Sequence, residues 1–414
     1  VEYRSLGSIS FKPSALGFGT MRLPEKKQGA SPAGPGEPDL GSIDHKAATA
    51  MLRYAVEHGV NYIDTAYNYH GGASEVWLGR ALRDVARLLD GEGDAGWAAF
   101  RRRVKVATKL PAWKCERLAD FDRYFDEQRE RLRIESIDFY LLHSLDADSW
   151  AQVRDAGVLD WAKRMKRAGR IGWFGFSFHD DPATFKEIVA ATKLWDFCQI
   201  QYNYMDEEHQ AGTEGLRYAA ARGLGVVVME PVRGGHLAGD PPQRVAGLWR
   251  RSEADDFDGA PRTPADWALQ WVWDHPEVGV VLSGMSTMRQ VVENVASAER
   301  SGAGRLTDAE RALVASVREA YRELAPIACT ACDYCQPCRE GVEIPDIFAI
   351  YNDAVMYGNE EAARESYAGI AEEHRADSCT HCGECEARCP QKLPVTDWLE
   401  VCQRFLCAPA DAGS

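Results

Sequence analysis

Short runs of β-branched and aromatic residues alternate with helix-length amphipathic stretches along the first three-quarters of the chain, the pattern of repeated strand–helix units. The apolar runs predict eight strands, near 15–20, 60–64, 104–109, 137–143, 171–176, 197–201, 224–229 and 278–282. Helical periodicity falls between them, for example over 44–58, 119–132, 150–168, 182–192, 206–222 and 288–299. Eight strands with intervening helices match a (β/α)8 TIM barrel better than an open doubly wound sheet. Residues 2–12 read as a short hairpin that closes the barrel floor, and 25–42 and 90–97, rich in Gly and other turn residues, as surface insertions. Residues 301–304 read as a linker, 307–324 as a helix, and the chain from 408 as a disordered tail. The expected division is a barrel over 1–304 and a small, mainly helical domain over 305–414.

Composition narrows the class. A chain of 414 residues suggests a large domain and a smaller one. The formal charge of −15 excludes nucleic acid and anionic membranes as expected partners, because phosphate neutralisation needs clustered Lys and Arg. The one dense basic run, Arg101-Arg102-Arg103 with Lys105, reads as a solvated strand entrance. No stretch approaches the ~20 apolar residues of a membrane span. The first residues, Val-Glu-Tyr-Arg-Ser-Leu-Gly, carry no signal-peptide pattern. Of twelve cysteines only Cys115 and Cys198 precede residue 329, which reads as a local metal-binding composition instead of a disulfide framework.

In such barrels chemistry sits where strands end. Here the predicted strand ends carry Asp64, Lys109 and His143, with Tyr69 a few residues past Asp64. That set suits carbonyl reduction. A phenol titrates near ~10 and holds its proton at neutral pH. A neighbouring ammonium stabilises the phenolate, and a carboxylate fixes the ammonium. An imidazole can donate a hydrogen bond to the substrate oxygen as charge develops on it. Tyr67, two residues before Tyr69, is the competing phenol and is read as packing or pocket lining.

The segments Asn-Tyr-Ile-Asp64-Thr-Ala-Tyr-Asn-Tyr69-His-Gly, Val-Ala-Thr-Lys109-Leu-Pro and Asp-Phe-Tyr-Leu-Leu-His143 resemble the motifs of aldo-keto reductases, in the same order. The resemblance implies Asp64, Tyr69, Lys109 and His143 as a catalytic tetrad, with Tyr69 the general acid. It also implies a nicotinamide cofactor held by Ser177 and Gln199 at the amide and by Met229 near the ring. Phe178 stands where the family has Asn. Ser283, Gly284 and Met285 look like the family's phosphate-binding turn, followed by a helix with Arg289 and Asn294. The family's Lys is absent there, so Arg289 either pairs a 2′-phosphate or faces water; the reading leans to NADPH, with NADH the alternative.

The remaining cysteines form two sets, Cys329-x-x-Cys332-x-x-Cys335-x-x-Cys338 and Cys379-x-x-Cys382-x-x-Cys385-x-x-x-Cys389-Pro390. The second matches the bacterial ferredoxin run, and the first is one residue short before its last Cys. Two [4Fe–4S] clusters are expected. The fourth Cys of each run would serve the other cluster, giving Cys329, Cys332, Cys335 and Cys389 on one and Cys379, Cys382, Cys385 and Cys338 on the second. Zinc and a single cluster are the alternatives. Cys402 and Cys407 read as packing thiols on a terminal helix, and Cys115 as a pocket border or a structural thiol. Barrel and tail together resemble the iron–sulfur-containing subgroup of aldo-keto reductases.

Three functions follow from that combination: nicotinamide-dependent interconversion of a small carbonyl and alcohol; a cluster-linked enzyme trading electrons with a ferredoxin or flavoprotein; or an electron carrier or redox sensor with an idle barrel. Trp113, Tyr67, Phe178 and Tyr202 are candidate pocket aromatics. Cluster chemistry points to a cytoplasm low in oxygen.

Overall fold

The computed structural model describes residues 1–26, 41–254, 262–329 and 334–407, with the side chains of 251–254 left aside. The expected tail from 408 lies outside the described residues, as does most of the expected insertion at 25–42, whose neck is closed by an antiparallel bridge between Glu25 and Ile43.

Eight parallel strands close into a barrel: β1 (Leu16–Gly19), β2 (Tyr62–Asp64), β3 (Lys105–Leu110), β4 (Ile137–Leu145), β5 (Ile171–Phe178), β6 (Phe197–Gln201), β7 (Gly225–Met229) and β8 (Val278–Gly284). Each pairs with the next, and β8 returns to β1 with Leu16 opposite Val281 and Gly19 opposite Gly284. Tyr62, Ala107, Phe139, Leu141, Phe197, Val227, Val280 and Leu282 form the interior core with Leu6 and Ile9 of the N-terminal hairpin. The hairpin is therefore the floor. Gly7, at φ +54, passes so close to β7 that a Cβ there would lie 2.3 Å from the Gly225 nitrogen.

Strand side chains alternate inward and outward. One step of two above Tyr62, Ala107, Leu141, Phe197 and Val227 brings Asp64, Lys109, His143, Gln199 and Met229 to the inward positions at the C-terminal mouth. The core thus sets the phase of the site.

Two expectations change. Residues 90–97 are not a loop insertion, because helix Gly93–Arg103 begins within them; the turn is confined to Gly91 and Gly93, both at positive φ. Arg101–Arg103 form its last turn, where cations complement the helix C-terminus, and Arg101 pairs with Asp138 while Arg103 pairs with Asp90 at 2.7 Å. Arg102 and Arg103 are exposed and the run leads directly into β3, so the solvated strand entrance is borne out, built as a helix end. The helix expected over 150–168 is two, Ala147–Asp155 and Val158–Arg167, broken at Gly157 with φ 90. Residues 301–304 are no loose linker: Ser301 is buried, and the Gly304 N–H donates to Asp274 O at 2.9 Å.

The described residues form two compact units, one from those of 1–238 with 262–311, the other from those of 239–254 with 312–407. The second is mainly helical, built on Ile344–Tyr357, Glu360–Ala368 and Val395–Leu406. Its core gathers Ile327, Val342, Ile347, Phe348, Tyr367, Leu399, Cys402 and Leu406. The buried Asn352 side chain ties the segment entering it, accepting from Ile327 N at 2.9 Å and donating to Ile327 O at 2.8 Å. Among the described residues no helix is long and apolar enough to cross a membrane.

Candidate active site

Asp64 ends β2, Lys109 stands one residue before the end of β3, and His143 lies where β4 shifts register between Leu142 and Leu145. The three, with Tyr69 from the loop after β2, converge. Lys109 Nζ donates to Asp64 Oδ1 at 2.5 Å, to the Thr65 carbonyl at 2.8 Å and to Tyr69 Oη at 3.1 Å. The Tyr69 and His143 rings meet edge to face with centroids 6.0 Å apart, and Trp113, half-exposed at the rim, lies 5.3 Å from His143.

Electrostatics give each group a protonation state. Burial pulls the Lys109 ammonium down, but Asp64 and Tyr69 outweigh it and hold the group above its ordinary value. Burial raises the Tyr69 phenol; Lys109 opposes that, and Asp64 and Glu230 add to it, so the net direction is upward and Tyr69 keeps its proton. Burial, then Lys109 and His179, hold His143 well below its ordinary value, leaving a neutral imidazole. Tyr67 stands apart: its hydroxyl donates to Glu127 at 3.2 Å and its ring packs on Tyr124.

A second layer positions this set, and the sequence reading missed it. Glu75, fully buried on helix Ala73–Asp90, accepts from Thr108 Oγ1 and Gln128 Nε2, each at 2.6 Å, and pairs with Arg131 at 3.3 Å. Gln128 Nε2 also donates to the Lys109 carbonyl at 3.0 Å, and Tyr140 donates to Gln128 Oε1 at 2.7 Å. Glu75 and Gln128 lie 53 positions apart and on helices, so strand-end logic could not find them.

The residues expected to hold a nicotinamide divide into two groups. Ser177 and Gln199 are buried side by side on β5 and β6, paired in register. Ser177 Oγ accepts from the Ser144 N–H at 2.7 Å, which leaves its own proton to give. Gln199 Nε2 contacts Met229 Sδ at 3.5 Å, while Gln199 Oε1 is buried without a hydrogen-bond partner. An unpaired buried amide oxygen beside a serine hydroxyl fits a carboxamide. Phe178 packs on Phe185 in the core and brings no polar atom.

At the end of β8, Asn294 donates to Ser283 Oγ at 2.9 Å, so these two buried groups hold each other. Met285 is buried, and Gly284 lies beneath the Arg22 stem, where an added Cβ would sit 3.4 Å from Arg22 Cβ. Arg289 is exposed and faces Glu293 at 3.7 Å. Arg22, not anticipated from sequence, reaches across the mouth. A Cβ on Gly234 would lie 3.3 Å from its Nη2 and 3.6 Å from Glu230 Oε2. The following turn is already capped, because Gln290 Oε1 accepts from Ser286 N at 2.8 Å and Thr287 N at 3.1 Å.

Of the other candidate pocket aromatics, Tyr202 is buried against Trp271 and is a core residue. Cys115 is likewise structural: its buried thiol donates to the Pro111 carbonyl, and burial pushes its pKa up to about 12.

In the helical unit, Cys335, Cys338, Cys379, Cys382 and Cys385 line one small hollow together with Ile344 and Leu399. Cys335 and Cys338 come from the first run and the other three from the second. Cys389 is buried nearby in sequence, Cys329 is half-buried, and Cys332 lies outside the described residues. A zinc site draws its ligands to about 2.3 Å from one point. Among the described residues no three Cys, His, Asp or Glu side chains converge in that way. Thiols of both runs share this one hollow. Cys402 packs in the core as expected; Cys407, at the end of the last helix, is exposed and is not a packing thiol.

Comparisons with known proteins cover both units. Residues 15–310 match the aldo/keto reductase family, and residues 328–394 match a 4Fe-4S dicluster domain. L-galactose dehydrogenase of Arabidopsis thaliana is 26% identical over 72% of this chain and 88% of its own length. The NADH-specific methylglyoxal reductase of Escherichia coli is 24% identical over 76% of this chain and 98% of its own length. Among solved structures, the holo form of aldo-keto reductase AKR11C1 from Bacillus halodurans superposes with a TM-score of 0.57 at 25% identity, covering 76% of this chain and 96% of that one.

Proposed function

The chain belongs to the aldo/keto reductase family and carries a 4Fe-4S dicluster domain, and from that premise we propose that its barrel interconverts a small carbonyl and an alcohol with NADPH or NADH. The observation that carries the reading is the contact of Lys109 with both Asp64 and Tyr69 at the barrel mouth. When bound, the nicotinamide supplies or accepts a hydride at the carbonyl carbon. Tyr69 gives its proton to the carbonyl oxygen in reduction and takes it back in oxidation. Lys109 lowers the cost of the phenolate that Tyr69 becomes, and Asp64 keeps Lys109 charged and in place. Neutral His143 donates a ring N–H toward the same oxygen as it gains charge.

Ser177 and Gln199 would hold the carboxamide, with Met229 against the ring. Gly284 and Met285 would border the phosphates, and Ser283 with Asn294 would fix the strand–helix geometry behind them. Arg22, whose stem lies over Gly284, is the cation placed over that turn. A guanidinium there favours NADPH. The names of the relatives point to small oxygen-rich carbonyls and sugars as the substrate panel.

The helical unit would hold two [4Fe–4S] clusters, one on Cys338, Cys379, Cys382 and Cys385 and the other on Cys329, Cys332, Cys335 and Cys389. The spacing of the two runs supports this crossed pairing, and one hollow is lined by thiols of both runs. Hydride transfer moves two electrons and a cubane passes one, so the clusters serve structure or regulation in this reading. The dicluster match favours a second reading, in which the clusters exchange electrons with a ferredoxin or flavoprotein.

The test is titration of anaerobically purified protein with NADPH and NADH by fluorescence quenching, then turnover on the carbonyl panel. Saturable binding, with Tyr69→Phe losing about 10²–10⁴-fold in kcat at unchanged cofactor affinity, is expected. Absence of nicotinamide binding would overturn the barrel reading. About eight iron atoms per chain are expected for two clusters.

A further inference from the structure

Away from the mouth, on the outer helices of the barrel, His45, Arg80, Arg83, Asp84, Arg87 and Arg133 line an open hollow of about 500 Å³. Three of the arginines share one face of helix Ala73–Asp90, at spacings of three and four. Four guanidiniums and one carboxylate line it: Asp84 answers His45 at 3.9 Å and Arg87 at 3.8 Å, and Arg87 also meets Glu92, outside the lining, at 4.0 Å. Arg80 and Arg133 have no carboxylate within ion-pair distance among the described residues. This excess of positive charge stands in a chain of formal charge −15, so it is not a by-product of a basic surface.

Two further observations show that the cluster is held together at a cost. Arg83 is fixed with its guanidinium 3.6 Å from the Trp97 ring centroid, and it donates to the Arg133 carbonyl at 3.3 Å. Burial lowers its pKa, and the like charges of Arg101 and Arg133 lower it further against the opposing pull of Asp94. Arg133 itself ends helix Leu118–Leu132 in the left-handed region, at φ 55. Glycine is the residue that helix ends favour there, since a Cβ is strained at positive φ. An arginine at that place gives up stability that glycine would supply.

We propose that this hollow is a binding site for a small organic phosphate with two or more negative charges. Guanidiniums bind phosphate oxygens in pairs through their planar forks. A concavity of this volume suits a molecule of metabolite size. Its lining is polar throughout, so charge and not apolar contact selects the ligand.

The probe is inorganic pyrophosphate, titrated by calorimetry into the full-length, cluster-loaded protein and into the double variant Arg80→Ala, Arg133→Gly. One saturable site in the parent that weakens tenfold or more in the double variant supports the proposal. The variant should melt no lower than the parent, because glycine relieves the backbone at 133. No saturable binding in the parent, or equal binding in parent and variant, overturns it. Binding of RNA or an acidic peptide with no response to pyrophosphate overturns it as well.

Discussion

The barrel mouth and the cysteine hollow reach readiness for chemistry by opposite routes. At the mouth, Lys109 already touches Asp64, Thr65 and Tyr69, and the Glu75–Gln128 layer fixes the strand behind it. The reacting groups are held by the fold, with every charge but one carboxylate oxygen of Asp64 partnered. In the helical unit the fold supplies a wall of thiols around a hollow and a modest apolar core. There a cluster would supply the missing links. A site that is complete before its cofactor arrives depends on packing, whereas a site made of scattered thiols depends on the group that joins them.

The strongest way to break this contrast is to remove the centre of the mouth. Lys109→Met leaves Asp64 buried without its partner, and a broken buried pair costs about 3–5 kcal/mol. Turnover should fall below detection and the denaturant midpoint of the barrel should drop; a barrel of parental stability would show that the pair is not held as described. Next in size, Cys385→Ala should remove about half the iron and expose the helical unit to protease. Carbonyl turnover in the barrel should stay within about twofold. Parallel loss of turnover would tie the two regions together and favour the electron-exchange reading.

Gln128→Leu acts at one remove. It strips two hydrogen bonds from the buried Glu75 and Lys109 carbonyl groups, and about a tenfold fall in kcat with unchanged KM is expected. A purely structural role would lower stability and leave kcat alone. The smallest effect is in pH. Tyr69 is raised and must be protonated to donate, so reduction should stay level through neutral pH and fail only as pH rises past about 10. His143, held low, should add no limb near its ordinary value.

Much of the barrel was legible because strand periodicity of two and the order of strand ends are local signals. Asp64, Lys109 and His143 each sit two residues above an apolar core position, and Tyr69 follows Asp64 by a fixed short loop. The spacing of the cysteines was equally local. What sequence could not show were contacts between distant helices and turns. Glu75 meets Gln128 only after both helices pack, and Arg22 reaches Gly234 only because β1 and β7 end on the same rim. The glycines of 90–97 read as a loop because propensity weighs each residue alone, whereas Phe100, buried, anchors helix Gly93–Arg103.

The central claim is that the mouth moves a hydride to a carbonyl carbon while Tyr69 moves the proton. It is tested most directly by running the reaction with nicotinamide deuterated at C4 and locating the label in the alcohol. Deuterium on the carbinol carbon, whether the helical unit is oxidised or reduced by dithionite, is the expected result. A product whose carbinol hydrogen comes from solvent would contradict it.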